Sequence, residues 1–346
     1  MRITLVSDAW MPQVNGVVRT LSTVVDIATA RGHRIQPITP DRFFSVPMPS
    51  YPEIRLALTT RRRVARLISQ FDPEAVHIAT EGPLGWLARS WCLIHKVPFT
   101  TSFHTRFPDY FTARTGLSPA PVWRLMTRFH KPAQHILVAT PRLAAELAEH
   151  GLTQTRPWSR GVDLALFRPD QAPPADYAAL PRPIAVHVGR VAIEKNIEAF
   201  LAADWPGSKV VVGDGPALAD LRARYSHVHF TGALHGEALA AAYAGADISV
   251  FPSKTDTFGL VIIEALACGT PVAGFPVPGP LDILGADGRG IEGGEVAVGG
   301  VDDDLATAMM QALACDRSAA AAYGALWSWD RACDQFLSAL VDRRQG

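Results

Sequence analysis

Two acidic residues, Asp256 and Glu264, belong to one short segment, TDTFGLVIIEALACG (255–269). The apolar run before this segment predicts a strand, and the apolar run inside it predicts a helix that ends at Gly269. Glu264 then lies roughly 8 Å from the helix start, at about 1.5 Å per residue. Asp256 stands on the other side of that start. The two carboxylates therefore flank the place where the helix begins, where they can accept hydrogen bonds from a ligand.

The start of this helix is itself a candidate anion site. Its backbone N–H groups have no partners within the helix, and the positive end of the helix dipole lies there. A phosphate fits such a site, and a glycine lets it approach the backbone closely. The residues concerned are Thr257, Phe258, Gly259 and Leu260.

A carboxylate on each side of a phosphate site suits a particular ligand, one with a central diphosphate and a hydroxyl-bearing ring at each end. A nucleotide sugar has this form. A helix N-cap acid and a surface glutamate explain the same two carboxylates about equally well, since aspartate is a common N-cap. Other motifs are needed to decide between the two interpretations.

Two basic residues, Arg190 and Lys195, occur in the segment GRVAIEKN, which begins with Gly189 and follows a predicted strand. Both can reach the same diphosphate and offset the charge of a departing nucleotide. A pair of solvated loop cations is the alternative, and it is weakened because the chain has only five lysines. The turn VVVGDGPAL places Gly213 after the next strand as a further candidate, although turn chemistry explains this glycine by itself.

The first half of the chain contributes two candidates, Gly16 and His104. Gly16 lies in PQVNGVVRTL, which joins the first strand to its helix, and would let the backbone approach phosphates; a tight turn is an equally good account. His104 lies in SFHTRFPDY, at the end of a predicted strand. A lone histidine is more often structural than catalytic, and the strand-end position makes the two interpretations even.

Alternating strands and helices must position these residues. Short apolar runs predict strands in the first half at residues 2–8, 75–79, 98–103 and 135–140, with helical patterns between or after them. The second half predicts strands at residues 184–189, 209–213, 228–232, 247–251 and 271–275. This alternation predicts two open α/β sheets in tandem, with ligands bound in a crevice at the carboxyl ends of their strands.

The segment between the two series, residues 168–183, contains five prolines and no periodicity, which predicts an interdomain linker. We therefore place an N-terminal domain at residues 1–167 and a C-terminal domain at residues 168–326. Residues 327–346 form a separate closing segment with a helical pattern.

The composition excludes several classes of protein. A chain of 346 residues with 48% hydrophobic and 19% charged residues is typical of two folded domains. Thirty-three basic residues balance thirty-three acidic ones, so nucleic acid is not an expected partner. The four cysteines show no C-x-x-C spacing, which argues against a zinc site or a disulfide framework and favours a reducing cytoplasm. The apolar runs are too short for a signal peptide or a membrane span.

Three further segments have plain structural explanations. VDDDL (301–305) carries three adjacent acids, which before a helix are usually an N-cap and a solvated turn and not a metal site. TTRRRVARLISQF (59–71) predicts an amphipathic helix that packs on a sheet and has a wet basic face. Residues 107–132 mix aromatics with arginines. This mixture suits either an interfacial element that takes up a lipid acceptor or a locally folded loop.

Four motifs together resemble the retaining glycosyltransferases of glycosyltransferase family 4: GRVAIEKN, VVGDGP, FPSKTDTFGLVIIEALACGTPV and PQVNGVVRTL. The similarity runs over nearly the whole chain and looks closest to the bacterial and plant branch that moves mannose, sulfoquinovose or glucuronic acid onto lipids. It implies the GT-B fold, two Rossmann-like domains that face each other across a cleft. It also implies that residues 327–346 form a helix that crosses back to the first domain.

The resemblance implies roles for individual residues. Arg190 and Lys195 match the residues that hold the donor diphosphate, and Glu264 matches the carboxylate that binds the ribose hydroxyls. Asp256 matches the first acid of the E-x7-E motif, whose partner is the transferred sugar. His104 matches a histidine beside the reacting sugar. The remaining donor-binding positions are Gly16, Gly189, Gly213, Thr257, Phe258, Gly259 and Leu260.

The chain departs from the family pattern at two positions. Asp256 stands where glutamate is more usual, and Asn15 stands before Gly16 where a second glycine is common. Because the shorter acid lies about one methylene further from its hydroxyl partner, these departures leave the identity of the sugar open.

We therefore predict a retaining enzyme that needs no metal and no cofactor and moves a sugar from a nucleotide sugar to a hydroxyl acceptor. The donor is GDP-mannose, a UDP-hexose or a UDP-uronic acid, and the acceptor is a membrane lipid such as diacylglycerol. We expect the protein in the cytoplasm, with peripheral contact to the inner face of the cell membrane. A nucleotide-sugar epimerase of the same fold and a non-catalytic nucleotide-sugar-binding protein stay open as alternatives. A dinucleotide-dependent dehydrogenase is disfavoured, because neither half opens with G-x-G-x-x-G.

Overall fold

The computed structural model describes the chain except for residues 14–15, 49–50, 105–106, 109–111, 113–114, 256–257, 292 and 345–346, and except for the side chains of residues 48 and 51–54. Asp256 and Thr257, two of the predicted site residues, lie outside the described residues, as does Asn15. The chain divides into two compact units. Unit 1 comprises Met1–Arg160 and Trp329–Gly346, and unit 2 comprises Gly161–Ser328.

The described strands are short and mostly apolar. In chain order they are Arg2–Val6 (β1), Arg34–Ile38 (β2), Ser45–Met48 (β3), Tyr51–Ala57 (β4), Ala75–Ile78 (β5), Thr100–Phe103 (β6), His135–Val138 (β7), Thr155–Pro157 (β8), Ile184–Val188 (β9), Ser208–Val212 (β10), His229–Gly232 (β11), Ile248–Phe251 (β12), Val272–Gly274 (β13) and Gly299–Val301 (β14).

The helices alternate with these strands. In chain order they are Gly16–Ala30 (α1), Arg61–Phe71 (α2), Pro83–His95 (α3), Ala120–His130 (α4), Pro141–Glu149 (α5), Ile197–Ala202 (α6), Leu218–Arg224 (α7), Gly236–Gly245 (α8), Leu260–Ala267 (α9), Pro278–Leu284 (α10), Leu305–Leu313 (α11), Arg317–Gly324 (α12) and Trp329–Ala339 (α13).

Unit 1 is built on a parallel sheet with the strand order β2-β1-β5-β6-β7-β8, and β3 and β4 form a separate antiparallel pair. Its central strands are buried along their whole length, as expected for a parallel sheet covered by helices on both faces. The direction of strand addition reverses between β1 and β5. Open sheets of this kind bind ligands beside such a reversal, at the carboxyl ends of the strands.

Unit 2 is built on a second parallel sheet, with the order β11-β10-β9-β12-β13-β14. This is the strand order of the Rossmann fold, and the reversal lies between β9 and β12. Its core is formed by apolar side chains of the sheet and of the flanking helices, among them Val211, Phe200, Ile248 and Met309. Both units therefore have the predicted architecture of an open α/β sheet.

Every strand and helix that the periodicity predicts is present, with ends shifted by a few residues. The strands that were not predicted are β2, the β3–β4 pair, β8 and β14. β8 and β14 are only three residues long, and β2 carries an exposed arginine and a proline in place of an apolar run. Edge strands bury one side only and give a weaker pattern than central strands.

The proline-rich segment at residues 168–183 is not a separate linker between the units. It belongs to unit 2, and Tyr177 in its 3-10 turn is buried there. Gly245 lies so close to Pro173 that an added Cβ would come within 2.8 Å of the ring. The division instead falls at Arg160, because Val162 already donates its N–H to Trp327 O within unit 2.

The C-terminal helix α13 belongs to unit 1 although it follows unit 2 in the chain. Its Phe336 and Cys333 pack into the same apolar cluster as Leu5 of β1 and Leu21 of α1. On its outer side, Asp330 and Asp334 both accept hydrogen bonds from the Arg31 guanidinium at 2.6 Å. Apolar burial and this double ion pair explain why the chain returns to unit 1.

Two of the weaker sequence candidates, VDDDL and residues 59–71, have the structural explanations that were favoured, and the third, residues 107–132, contributes a helix to a core. In VDDDL, Asp304 is the N-cap of α11 and accepts the N–H of Thr307 at 3.1 Å. In α2, Val64 and Ile68 are buried. In the segment 107–132, α4 buries Trp123, Met126 and Phe129 in the core of unit 1. No helix in the described parts of the chain is long and apolar enough to cross a membrane.

Candidate functional site

Two of the candidate segments leave the sheet of unit 2 beside its reversal. One follows β9 at residues 189–196, and the other follows β12 at residues 252–259. Asn196 donates from Nδ2 to Pro252 O at 3.0 Å, and Thr255 donates from Oγ1 to Glu194 O at 3.4 Å. The fold thus joins two motifs that are far apart in the sequence.

The cations of the first segment lie at the surface of unit 2. Arg190 is 66% exposed, and its Nη1 lies 4.0 Å from Glu194 Oε1. Such an exposed pair contributes little to stability, so the guanidinium can leave it for a more strongly charged partner. Lys195 ends the 3-10 turn Ile193–Lys195, and the carbonyl of its neighbour Glu194 accepts from Thr255 of the second segment.

Gly213, one of the candidate glycines of unit 2, has a structural reason that the sequence did not show. A Cβ on Gly213 would lie 1.8 Å from Gly189 O, and the φ of Gly213 is 149°. Val191 donates its N–H to Asp214 O at 2.9 Å in the same place. The loops after β9 and β10 therefore approach each other backbone to backbone, and only a residue without a side chain fits at position 213.

The helix start of α9 has the form that the sequence predicted. Its N-cap is Gly259, with φ 83°, and a glycine has no side chain with which to cap the first N–H groups. A Cβ at Gly259 would lie 2.9 Å from Ile262 Cδ1 and 3.1 Å from the Phe251 ring. Phe258 is buried and packs edge-on against Trp327, with ring centroids 5.7 Å apart. Packing fixes the loop, and the backbone N–H groups at the helix start can donate hydrogen bonds to a phosphate.

Glu264 is buried in α9, and only 5% of it is exposed. The alternative of a surface glutamate is therefore wrong. Tyr243 donates from Oη to Glu264 Oε2 at 3.4 Å, and the residues on either side, Ile263 and Ala265, are fully buried. A buried carboxylate destabilises an apolar helix unless hydrogen bonds compensate for its lost hydration. A carboxylate that is retained in such a place is typical of a functional position.

In unit 1, His104 follows β6 and both of its ring nitrogens are engaged. Arg160 Nη2 lies 2.9 Å from Nδ1, and Ser102 Oγ lies 2.9 Å from Nε2. Because arginine can only donate, Nδ1 must accept, so the neutral ring carries its proton on Nε2 and donates it to Ser102. Burial, followed by the charge of Arg160, holds the pKa of His104 well below its usual value, which agrees with a neutral ring.

A fully buried histidine, His77, continues this network under the sheet edge. Its Nδ1 lies 2.8 Å from Thr100 Oγ1 and its Nε2 lies 3.3 Å from Ser102 Oγ. Ser102 in turn donates to Ala79 O at 3.1 Å. Burial lowers the pKa of His77 to about 3, so this ring is neutral at physiological pH. The network fixes the orientation of His104 from below.

A buried carboxylate, Asp8, lies beside the reversal of the unit 1 sheet. It accepts the N–H groups of Leu84 and Gly85 at 2.9 and 3.3 Å and therefore caps helix α3 from the loop after β1. Thr80 Oγ1 donates to it at 3.1 Å. An added Cβ on Gly82 would lie 2.4 Å from Asp8 Cγ. Burial raises the pKa of Asp8 to about 6 against the lowering effect of these hydrogen bonds.

A histidine–carboxylate contact, between His130 and Glu81, also lies in unit 1. His130, at the end of α4, is fully buried, and its Nε2 lies 3.0 Å from Glu81 Oε1. Its other nitrogen, Nδ1, lies 2.9 Å from Thr101 Oγ1. Gly16, the remaining candidate of this half, is exposed at the first turn of α1, where Thr20 Oγ1 donates to its carbonyl at 2.7 Å.

Sequence reasoning missed several polar residues of unit 1, namely Asp8, Glu81, His130 and Arg160. Asp8 carried a usable signal, because it comes two residues after the first buried strand. Arg160 carried none, since β8 before it is too short to be recognised. His130 lies at the end of a helix whose aromatic pattern suggested an interface.

The comparisons with known proteins agree with this architecture. Residues 14–166 match Glycosyltransferase Family 4, and residues 182–315 match Glycosyl transferases group 1. The chain is 30% identical over 375 aligned positions to a GDP-mannose-dependent alpha-mannosyltransferase of Mycolicibacterium smegmatis, with 99% of each chain covered. It is 27% identical to the alpha-monoglucosyldiacylglycerol synthase of Streptococcus pneumoniae, over 79% of this chain and 70% of that protein.

The fold also matches solved structures. Sucrose-phosphate synthase from Thermosynechococcus elongatus superposes with a TM-score of 0.68 at 24% identity, with 97% of each chain covered. At that identity the likeness shows the fold alone. Two Rossmann-like sheets, joined motifs at the reversal of unit 2 and a relative of 30% identity along the whole chain lead to one conclusion: the chain belongs to glycosyltransferase family 4 and is a glycosyltransferase that uses a nucleotide sugar.

Proposed function

We propose that the protein transfers a hexose or a uronic acid from a GDP- or UDP-sugar to a hydroxyl group of a membrane lipid such as diacylglycerol, with retention at the anomeric carbon. One observation carries the donor half of this proposal. The hydrogen bonds from Asn196 to Pro252 O and from Thr255 to Glu194 O join the cationic loop to the loop that opens α9. In this proposal the cations of the first loop, the backbone N–H groups at the start of α9 and the buried carboxylate of Glu264 act on one donor.

In this proposal these residues bind different parts of the donor. Arg190 and Lys195 hold the diphosphate, and the N–H groups at the start of α9 donate to it. Glu264, four residues into the helix beside Tyr243, accepts from the ribose hydroxyls. Asp256, which lies outside the described residues, is the proposed partner of the transferred sugar. His104 is proposed to lie beside the reacting carbon, where a sugar hydroxyl would compete with Arg160 or Ser102 for a ring nitrogen.

Catalysis in this proposal is electrostatic. The bond between the anomeric carbon and the diphosphate breaks as an oxocarbenium-like sugar forms, and the cations and helix start stabilise the negative charge that develops on the leaving group. The acceptor hydroxyl attacks from the same face, and a phosphate oxygen of the leaving group takes its proton. This scheme uses no protein nucleophile and no metal, so chelation with EDTA is expected to leave the rate unchanged.

The names of the relatives support the choice of substrates. One relative is named as a GDP-mannose-dependent alpha-mannosyltransferase, and another is named as an alpha-monoglucosyldiacylglycerol synthase. These names describe those proteins. They make GDP- and UDP-sugars the first donors to test here, and lipid hydroxyls the first acceptors.

The test starts with a thermal-shift panel of GDP- and UDP-sugars and continues with the best binder and a lipid extract. Mass spectrometry is expected to show a lipid heavier by one sugar residue, and NMR of the product an anomeric configuration equal to that of the donor. Inversion would contradict retention. Conversion of the donor without an acceptor would identify an epimerase, and binding without turnover on any extract would identify a sensor.

A further inference from the structure

Arg160 is a buried cation at the carboxyl edge of the unit 1 sheet. It follows the edge strand β8 by three residues, and only 8% of it is exposed. Its guanidinium carbon lies 5.8 Å from the Trp158 ring, and its Nη2 donates to His104 Nδ1 at 2.9 Å. Burial lowers the pKa of Arg160 to about 10, which still leaves it charged at neutral pH.

The described residues give this cation no acidic partner. None of their carboxylates lies within 4.0 Å of its nitrogens, whereas Arg31 of the same unit pairs with both Asp330 and Asp334. Within the described parts of the chain, its one polar contact is with the neutral imidazole of His104. A buried charge without a counter-charge is costly, and proteins keep one mainly where a ligand supplies the opposite charge.

The guanidinium keeps donors for such a ligand. It has five N–H groups, and His104 accounts for one. Buried side-chain nitrogens without a partner occur elsewhere in the described chain, for example in Trp158, but none of them belongs to Arg160. Its remaining N–H groups therefore reach the surface. His104, in contrast, already has both ring nitrogens hydrogen-bonded, one to Arg160 and one to Ser102.

We infer that Arg160 binds an oxyanion of the substrate that occupies unit 1, a carboxylate or a phosphate, and that His104 is the positioning residue that holds its guanidinium. A planar fork of N–H donors matches both oxyanions. The inference deepens the proposed glycosyl transfer and rests on it for the identity of the ligand. The oxyanion comes either from the transferred sugar, as in a uronic acid, or from the acceptor, as in a phosphorylated lipid.

The first experiment measures binding without turnover. The unfolding temperature of the protein is followed in inorganic phosphate, in glucuronate and in glucose, at constant ionic strength. Arg160→Met keeps the length and the packing on Trp158 but removes the charge. The matched control is Arg156→Met, because Arg156 is exposed on β8 and its side chain bonds only to the carbonyl of Thr155.

Phosphate or glucuronate is expected to raise the unfolding temperature of the wild type and of Arg156→Met, and glucose is not. Arg160→Met is expected to lose that rise. If the rise is equal in Arg160→Met, the anion is an adventitious ion only, and the inference is overturned. It is equally overturned if neither anion stabilises the wild type.

A second pair of variants tests the positioning role of His104. His104→Gln keeps an acceptor for Arg160, since the amide oxygen can replace Nδ1, whereas His104→Leu does not. Anion stabilisation is expected to survive in the glutamine variant and to weaken in the leucine variant. Equal stabilisation in both would show that Arg160 does not depend on His104.

The source of the oxyanion is found from matched substrates. UDP-glucuronate is compared with UDP-glucose, and phosphatidate with diacylglycerol, in wild type and Arg160→Met. In Arg160→Met the KM is expected to rise at least about tenfold for the anionic member of one pair only. A rise of this size corresponds to the loss of one charge-assisted contact. A uniform fall in kcat for all four would mark a merely structural arginine. If Arg160→Met loses anion binding but the wild type transfers no sugar with any donor and acceptor tested, the anion site is supported and the proposed glycosyl transfer is contradicted.

Discussion

The two sheets use the same kind of edge in different ways. At the reversal of unit 2, the cation Arg190 is exposed, the N-cap of α9 is a glycine, and the loops are joined by hydrogen bonds to backbone carbonyls. At the corresponding edge of unit 1, the polar groups of Asp8, His104 and Arg160 are bonded to protein partners before any ligand arrives.

This difference shows how one protein can bind one part of a ligand with little selectivity and another part selectively. A diphosphate is held by charge and by backbone donors, which tolerate changes in the rest of the ligand. A network of buried side chains is already oriented and resists rearrangement, so it accepts only a group that matches its remaining donors. Unit 2 therefore suits the part common to all nucleotide sugars, and unit 1 suits the part that varies.

The largest expected effect concerns the backbone contact on which the unit 2 edge depends. In Gly213→Ala the new Cβ would meet Gly189 O at 1.8 Å, so the loops must separate, at about 2 to 4 kcal/mol of unfolding free energy. Gly232→Ala is the control, because its φ is also positive, 80°, while nothing lies within 4 Å. The control is expected to lose about 1 kcal/mol. Equal losses in urea denaturation would show that strain, and not contact, matters at position 213.

The next effect is on catalysis in unit 2. Lys195→Ala removes a positive charge that stabilises the leaving diphosphate. The substitution is expected to lower kcat/KM about 10- to 100-fold, which corresponds to the loss of one charge-assisted hydrogen bond. Arg168→Ala is the control, since Arg168 pairs with Asp170 at the surface of the same unit. A wild-type rate for Lys195→Ala would remove the assignment of the diphosphate to this loop.

A comparable effect on stability is expected in unit 1, in acid. Because His77 stays neutral in the folded protein down to pH about 3, the unfolded chain alone takes up a proton below about pH 6.5. Stability from His77 is present above pH 6.5 and is lost as the pH falls toward 3, by about 2 to 3 kcal/mol at pH 4.5.

His77→Gln is expected to flatten this part of the stability profile, relative to its own value at pH 7. His95→Gln, at an exposed position at the end of α3, is expected to leave the slope as in the wild type. Asp8 acts in the opposite direction, because its raised pKa of about 6 makes stability fall as the pH rises from about 4 to about 6. Denaturation curves at several pH values check both slopes; an unchanged slope in His77→Gln would mean that this ring is not the source.

The smallest effect is expected at Glu264. Glu264→Gln keeps the shape and an acceptor for Tyr243 Oη but loses the carboxylate charge. Donor affinity is expected to fall about tenfold, with a nearly unchanged melting temperature, as for one hydrogen bond to a charged group. Titration calorimetry with the nucleotide alone measures this. An unaltered affinity for the nucleoside diphosphate would place the ribose elsewhere.

Sequence periodicity was a sufficient guide to most of the fold. Central strands such as β5 and β12 are mostly apolar runs that are buried throughout, and helix α3 begins after Gly82, so local patterns and burial agree. The edge strands β8 and β14 escaped prediction because three residues carry too little pattern. The linker was wrongly placed because prolines indicate an irregular chain, and irregular chain can still pack on a domain, as Tyr177 does.

The amino-acid sequence alone determined that two α/β sheets carry an acid, a glycine-rich helix start and two cations at strand ends, because these are local patterns of residue type and spacing. Only the tertiary structure decided that Glu264 is buried beside Tyr243, that Gly213 faces the backbone at Gly189, and that Arg160 contacts His104 and no carboxylate of the described residues. Contacts of this kind depend on which strands become neighbours, and the strand order is set by packing across the whole chain.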